Sequence, residues 1–65
     1  MITVNDTSVE WRSGMTVTLA LEAMGYDFPL ISVFVNEQFV PDIDHDSFEI
    51  PDGADVKAIH IHHGG

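Results

Sequence analysis

The sequence predicts one small α+β domain, a sheet of four to five strands with a single helix packed on one face. Three observations carry that expectation. The chain has 65 residues, which leaves room for one domain and none for a separate substrate-binding unit. Most of its segments alternate apolar and polar residues with period two, as half-exposed strands do. One segment repeats its apolar residues at helical spacing.

Taken in order, residues 1–5 place Ile2 and Val4 on one side and Thr3 and Asn5 on the other. Asn5-Asp6-Thr7 supplies a turn, because Asn and Asp tolerate a left-handed backbone and bond their own main chain. Residues 8–12 alternate again, with Val9 and Trp11 sharing a face, so the N-terminus reads as a hairpin. Ser13-Gly14 breaks the pattern, and Thr16 is placed to cap a helix over residues 17–24. Val17, Ala20, Leu21 and Met24 make its apolar stripe, Gly25 suits the position just past its end, and Pro29 stops it from resuming. A helix this short needs a sheet to lie on.

Residues 31–36 form the clearest strand, with Ile31, Val33 and Val35 facing one way and Ser32, Phe34 and Asn36 the other. Asn36-Glu37-Gln38 turns the chain into a short Phe39-Val40 strand that Pro41 ends. Residues 42–47 are acidic and read as a loop, Pro51-Asp52-Gly53 as a turn, and residues 55–62 as the last strand. That strand sets Val56 and Ala58 against Lys57, Ile59 and Ile61. Lysine is hard to bury, so the second set belongs to the solvent face. With one helix available, that face stays uncovered. Phe34, Ile59 and Ile61 gathered on it mark a contact site.

Composition excludes several functions. Apolar residues at 45% and charged residues at 20% are ordinary for a folded domain, so wholesale disorder is not expected. The chain has no cysteine, which removes disulfides, zinc–thiolate sites, iron–sulfur clusters and a cysteine nucleophile. Eleven Asp and Glu against Arg12 and Lys57 give a net charge of -9. Such a surface repels nucleic-acid phosphates and anionic membranes and is steered toward a basic protein partner. No apolar run approaches the ~20 residues a membrane span needs, and Met1-Ile2-Thr3-Val4-Asn5 lacks the basic start of a signal peptide. A cytoplasmic protein is expected.

Little else suggests chemistry of its own. His60 and His62 share a strand face and His63 follows, but two imidazoles with no neighbouring carboxylate do not close a metal site. Asp42-Ile43-Asp44-His45-Asp46 lacks the glycine and the bidentate Glu of a calcium loop. No serine sits in a nucleophile motif, and Gly14, Gly25 and Gly53 are single turn glycines. No catalytic residue and no bound cofactor or metal is expected. What remains is Gly64-Gly65, directly after a core strand. Two residues without side chains can thread a narrow channel, which suits a carboxylate delivered into another protein's active site.

Ordered segments along the whole chain carry a resemblance. They are Met1-Ile2-Thr3-Val4-Asn5-Asp6, Gly14-Met15-Thr16-Val17 running into Leu21-Glu22-Ala23-Met24-Gly25, Val33-Phe34-Val35-Asn36, Val40-Pro41, Pro51-Asp52-Gly53-Ala54-Asp55-Val56, and Gly64-Gly65. In that order and at this length, the chain resembles sulfur carrier proteins of the ThiS type, within the ThiS/MoaD and ubiquitin-like β-grasp group. The resemblance implies a β-grasp domain over residues 1–65, with a mixed sheet and a flexible glycine tail. It implies no enzyme but a protein cosubstrate. An E1-like adenylyltransferase (ThiF/MoeB-like) would activate the Gly65 carboxylate with ATP. Sulfur from a cysteine desulfurase would then leave a thiocarboxylate for a thiazole synthase-like acceptor in thiamine biosynthesis. Gly65 would be the sulfur attachment point and Gly64 would give access. Phe34, Ile59, Ile61, His62 and His63 would meet the partner. His62-His63 departs from the smaller or more apolar residues usual before the glycines of this family. The alternatives are a carrier for molybdopterin, tungsten cofactor or another sulfur-containing product, a ubiquitin-like modifier, and a metal-buffering protein using the histidines.

Overall fold

The computed structural model describes residues 1–26 and 31–60. In chain order these form β1 (Ile2–Val4), β2 (Thr7–Val9), α1 (Val17–Ala23), β3 (Ile31–Val35), β4 (Gln38–Val40), a 3-10 turn (Asp42–Asp44) and β5 (Asp55–His60). The strands make one sheet in the order β2-β1-β5-β3-β4. The β1–β5 pair is parallel and the other pairs are antiparallel, so the sheet is mixed, with β5 at its centre.

Two-residue turns close both hairpins. Asn5 and Asp6 have φ of 50° and 67°, and Asn36 and Glu37 have 49° and 70°. Two consecutive positive φ angles make the mirror-image turn whose twist matches that of the flanking strands. The resulting registers pair Val4 with Thr7 and Val35 with Gln38.

The start of α1 is fixed mainly by loop carbonyls. Val17 N–H donates to the Phe48 carbonyl at 3.2 Å and Thr18 N–H to that of His45 at 3.1 Å, while Thr16 Oγ1 accepts from Leu19 N–H at a long 3.4 Å. At the other end, Gly25 N–H donates to Glu22 and Tyr26 N–H to Leu21, both at 3.0 Å. This double closure requires a left-handed residue between the two, which Gly25 supplies with φ 71°. Val17 and Ala20 of the predicted stripe are buried, and Leu21 and Met24 pack against the core from its margin.

The core lies between α1 and one sheet face. Ile2, Val4, Val33, Val35, Val56 and Ala58 meet Val17 and Ala20, with Met15, Val40, Ile50 and Ala54 closing the sides. Fully burying a valine or isoleucine side chain contributes about 1.5–3 kcal/mol, and this core is made largely of such residues. Trp11, Tyr26 and Phe48 pack around it half-buried.

The structure revises the sequence reading at two places. β2 stops at Val9, and Trp11 lies past it with its indole N–H donating to the Ile50 carbonyl at 2.7 Å. A half-buried indole needs an acceptor, and that bond takes Trp11 out of the ladder. The acidic stretch tightens into the 3-10 turn, which buries His45 to 9% exposure, its Nε2 lying 3.1 Å from the Val40 carbonyl. A carbonyl only accepts, so Nε2 carries the proton. β5 is described through His60. The predicted continuation to residue 62, and Pro29, lie outside the described residues. Among the described residues no helix is long and apolar enough to cross a membrane.

Candidate functional site

With α1 on one face, the other face of the sheet is open, and its side chains follow from strand parity. On β3 and β5 the inward residues are Val33, Val35, Val56 and Ala58, so Ser32, Phe34, Asp55, Lys57 and Ile59 point outward. Register brings Ser32 opposite Ile59 and Phe34 opposite Lys57 on one side and Phe39 on the other. The Phe34 and Phe39 rings lie 5.5 Å apart, tilted by 55°. That is an attractive aromatic geometry. Ile59 is 54% and Phe39 53% exposed. Phe34 and Ile59 therefore share one open face as the sequence predicted. Phe39 joins them. The sequence reading missed it, although a two-residue turn at 36–37 forces position 34 opposite 39.

The far half of the same face is polar. Thr3 sits between Ser8 and Asp55 in register, and its hydroxyl donates to Asp55 Oδ1 at 2.9 Å. Lys57 stands between the halves, with Nζ donating to Asp6 Oδ1 at 3.0 Å and forming an ion pair with Asp55 Oδ1 at 3.8 Å. The hydrogen bond to Asp6 holds the ammonium above its ordinary 10.5, with Asp55 adding to the effect and desolvation opposing it.

The strand that carries Ile59 is held from both sides. Asn36 N–H donates to the Asp55 carbonyl and its Oδ1 accepts from Asp55 N–H, each at 2.9 Å, at the start of β5. Nearer the end, Asn5 Oδ1 accepts from Ala58 N–H at 2.9 Å while its Nδ2 donates to the Ala58 carbonyl at 3.0 Å. Nδ2 also donates to the Tyr26 hydroxyl at 3.0 Å. His60, half-buried, pairs with Ile31 and takes the inward parity of Val56 and Ala58. The remaining predicted site residues, Ile61, His62, His63, Gly64 and Gly65, lie outside the described residues.

Among the described residues no three His, Asp or Glu side chains gather where they could hold a metal ion. A groove of about 460 Å³ runs on the helix side, lined by Val9, Arg12, Met15, Leu19 and Ala23. It is remote from the open face.

The sequence model of the ThiS family matches residues 2–65. Among solved structures, that of a thiamine biosynthesis protein (ThiS) from Geobacter metallireducens is similar, with a TM-score of 0.77 and 24% identity over 98% of this chain and 97% of that one. The fold is accordingly a β-grasp. No curated protein matches the chain.

Proposed function

Because the chain belongs to the ThiS family, we propose that it is a sulfur carrier whose working group is the carboxylate of Gly65. An E1-like adenylyltransferase docks on the open face at Phe34, Phe39 and Ile59, with Ile61, His62 and His63 completing the contact. Gly64 and Gly65 enter its active site. A Gly65 carboxylate oxygen attacks the α-phosphorus of ATP, pyrophosphate leaves, and an acyl-adenylate forms. A carboxylate is a poor electrophile until its oxygen becomes a leaving group, and AMP is one. A persulfide from a cysteine desulfurase then attacks the carbonyl carbon and AMP departs. A thiol cleaves the resulting acyl disulfide and leaves the thiocarboxylate. In the cytoplasm a thiazole synthase-like enzyme consumes that sulfur. The chain itself is consumed and regenerated as a cosubstrate and catalyses no step.

What supports this reading is the reach of the family match through residue 65, which brings both glycines into the family's pattern. The described face adds an apolar contact on β5, the strand that leads toward them. The net charge of -9 favours encounter with a basic rim on the partner. Intact mass spectrometry after incubation with the cognate adenylyltransferase, ATP and a persulfide source tests it. The expected result is replacement of one oxygen by sulfur on the full-length chain and none on a chain lacking Gly65. Modification of the truncated chain, or a histidine-bound metal with no change at the carboxylate, overturns the assignment.

A further inference from the structure

β1 ends at Val4 and the chain turns away at Asn5-Asp6, so past Val56 the strand β5 has no backbone neighbour on that side among the described residues. The last main-chain bond across the pair runs from Asn5 N–H to the Val56 carbonyl at 2.9 Å. The next outward-looking peptide group, that of Ala58, is met by a side chain. The Asn5 carboxamide offers the donor and acceptor that a further strand residue would have offered, and it binds both Ala58 N–H and C=O. Its orientation is fixed by valence. Oδ1 must face the N–H, and the two protons of Nδ2 go to the Ala58 carbonyl and the Tyr26 hydroxyl. Tyr26 is itself delivered by the glycine closure that ends α1, where its N–H returns to Leu21.

We infer that Asn5 is a positioning residue for the C-terminal segment, acting as a surrogate strand residue that fixes β5 at Ala58, just before the chain heads for Gly64-Gly65. The inference rests on the sulfur-carrier reading above for its functional consequence. A reactive carbonyl on a tether reaches productive geometry more often when the tether's root is fixed, and small misplacements cost rate steeply. In this role Asn5 acts through the strand and not on ATP or the reacting carbon. Its role is to hold the strand from which they are reached.

The backbone at Asn5, with φ 50°, allows a clean test. Glycine accepts that conformation without strain, so Asn5→Gly removes the three side-chain bonds and keeps the turn. Asn5→Asp keeps the acceptor for Ala58 N–H and turns a carboxylate oxygen toward the Ala58 carbonyl. Asn36→Gly is the control at the other end of β5: it deletes the one side-chain bond there, from Asp55 N–H to Asn36 Oδ1, keeps the main-chain bond to the Asp55 carbonyl and leaves the same kind of turn.

Amide hydrogen exchange, under conditions where every variant remains folded by circular dichroism, should show Ala58 exchanging at least about tenfold faster in Asn5→Gly than in Asn36→Gly. Steady-state adenylation by the cognate adenylyltransferase should show kcat down about five- to tenfold in Asn5→Gly, with KM within about twofold of wild type. Asn5→Asp should fall between the two, and Asn36→Gly should keep the wild-type kcat. Equal kcat in the two glycine variants, a loss carried by KM, or unchanged exchange at Ala58 each overturns the inference. If the wild-type chain is never adenylated, the carrier reading falls and takes the positioning role with it. A wild type that reacts normally beside an unaffected Asn5→Gly sinks the positioning role alone.

Discussion

The two halves of the open sheet face share a backbone and differ in what they show to water. On the β1–β2 side the outward row is Ser8, Thr3 and Asp55, and Thr3 spends its hydroxyl on Asp55. On the β3–β4 side the outward residues include Phe34, Phe39 and Ile59, two of them more than half exposed. The first half satisfies itself, and water can cover it without cost. The second leaves apolar area exposed among the described residues, and a docked partner would remove it from water. One sheet thus separates a surface that is finished from a surface that waits.

The sharpest break in that comparison is a charge placed in each half. Ile59→Glu sets a carboxylate beside Ser32 at a half-exposed site, so the urea midpoint should report a stability change within about 0.5 kcal/mol. Adenylation of Gly65 by the cognate enzyme should show KM raised roughly tenfold or more, about 1.4 kcal/mol of lost docking. Thr3→Glu in the polar half should change KM by less than about threefold, a rim effect. Equal penalties from the two substitutions would mean that the halves dock alike, and the distinction drawn from exposure would be wrong.

A smaller effect concerns the folded chain alone. The Phe34–Phe39 pair at 5.5 Å should couple by about 0.5–1.5 kcal/mol in a double-mutant cycle to alanine read by urea denaturation. The Thr3–Ser8 pair, directly opposite in the other hairpin, should couple by about 0.5 kcal/mol or less. If the aromatic pair shows no coupling, the rings are independent surface groups and the apolar half is no preformed unit.

How legible this was in the sequence depended on whether the governing contact was local. Period-two alternation gave the strands and the parity of Val56, Ala58, Lys57 and Ile59, because a strand's faces follow from its own residues. The helix and its glycine stop were readable for the same reason. Trp11 was misjudged because its bond to Ile50 spans 39 positions, and alternation does not register a distant acceptor. His45 looked like part of a solvated acidic loop, and only the 3-10 turn that folds it back on Val40 buries it. At the site, Phe34 and Ile59 were legible from parity. Phe39 needed the pairing register, and the two Asn holds on β5 needed the sheet order, which places the N-terminal turn beside the C-terminal strand. The attachment point Gly65 came from position and resemblance, a different kind of evidence from packing.

The smallest expected effect lies on the border between the halves. Lys57 leans toward the polar side, paired with Asp6 more closely than with Asp55, 3.0 against 3.8 Å. Its pKa is raised, so its contribution to stability is fully present below the unfolded value and is lost as pH rises through the higher folded one. Neutral-pH stability should therefore be flat with respect to this group. A ¹³C titration of the Lys57 Cε signal should give a midpoint above 10.5, moving down in Asp6→Asn more than in Asp55→Asn. Both shifts should shrink in molar salt, as expected for exposed ion pairs. Asp55 has Thr3 as a second claimant on its oxygen, whereas Asp6 reaches Lys57 from the turn that Asn5 begins. Should Asp55→Asn produce the larger shift, Lys57 would belong to the sheet row and not to the turn, and the border between the two halves would move by one strand.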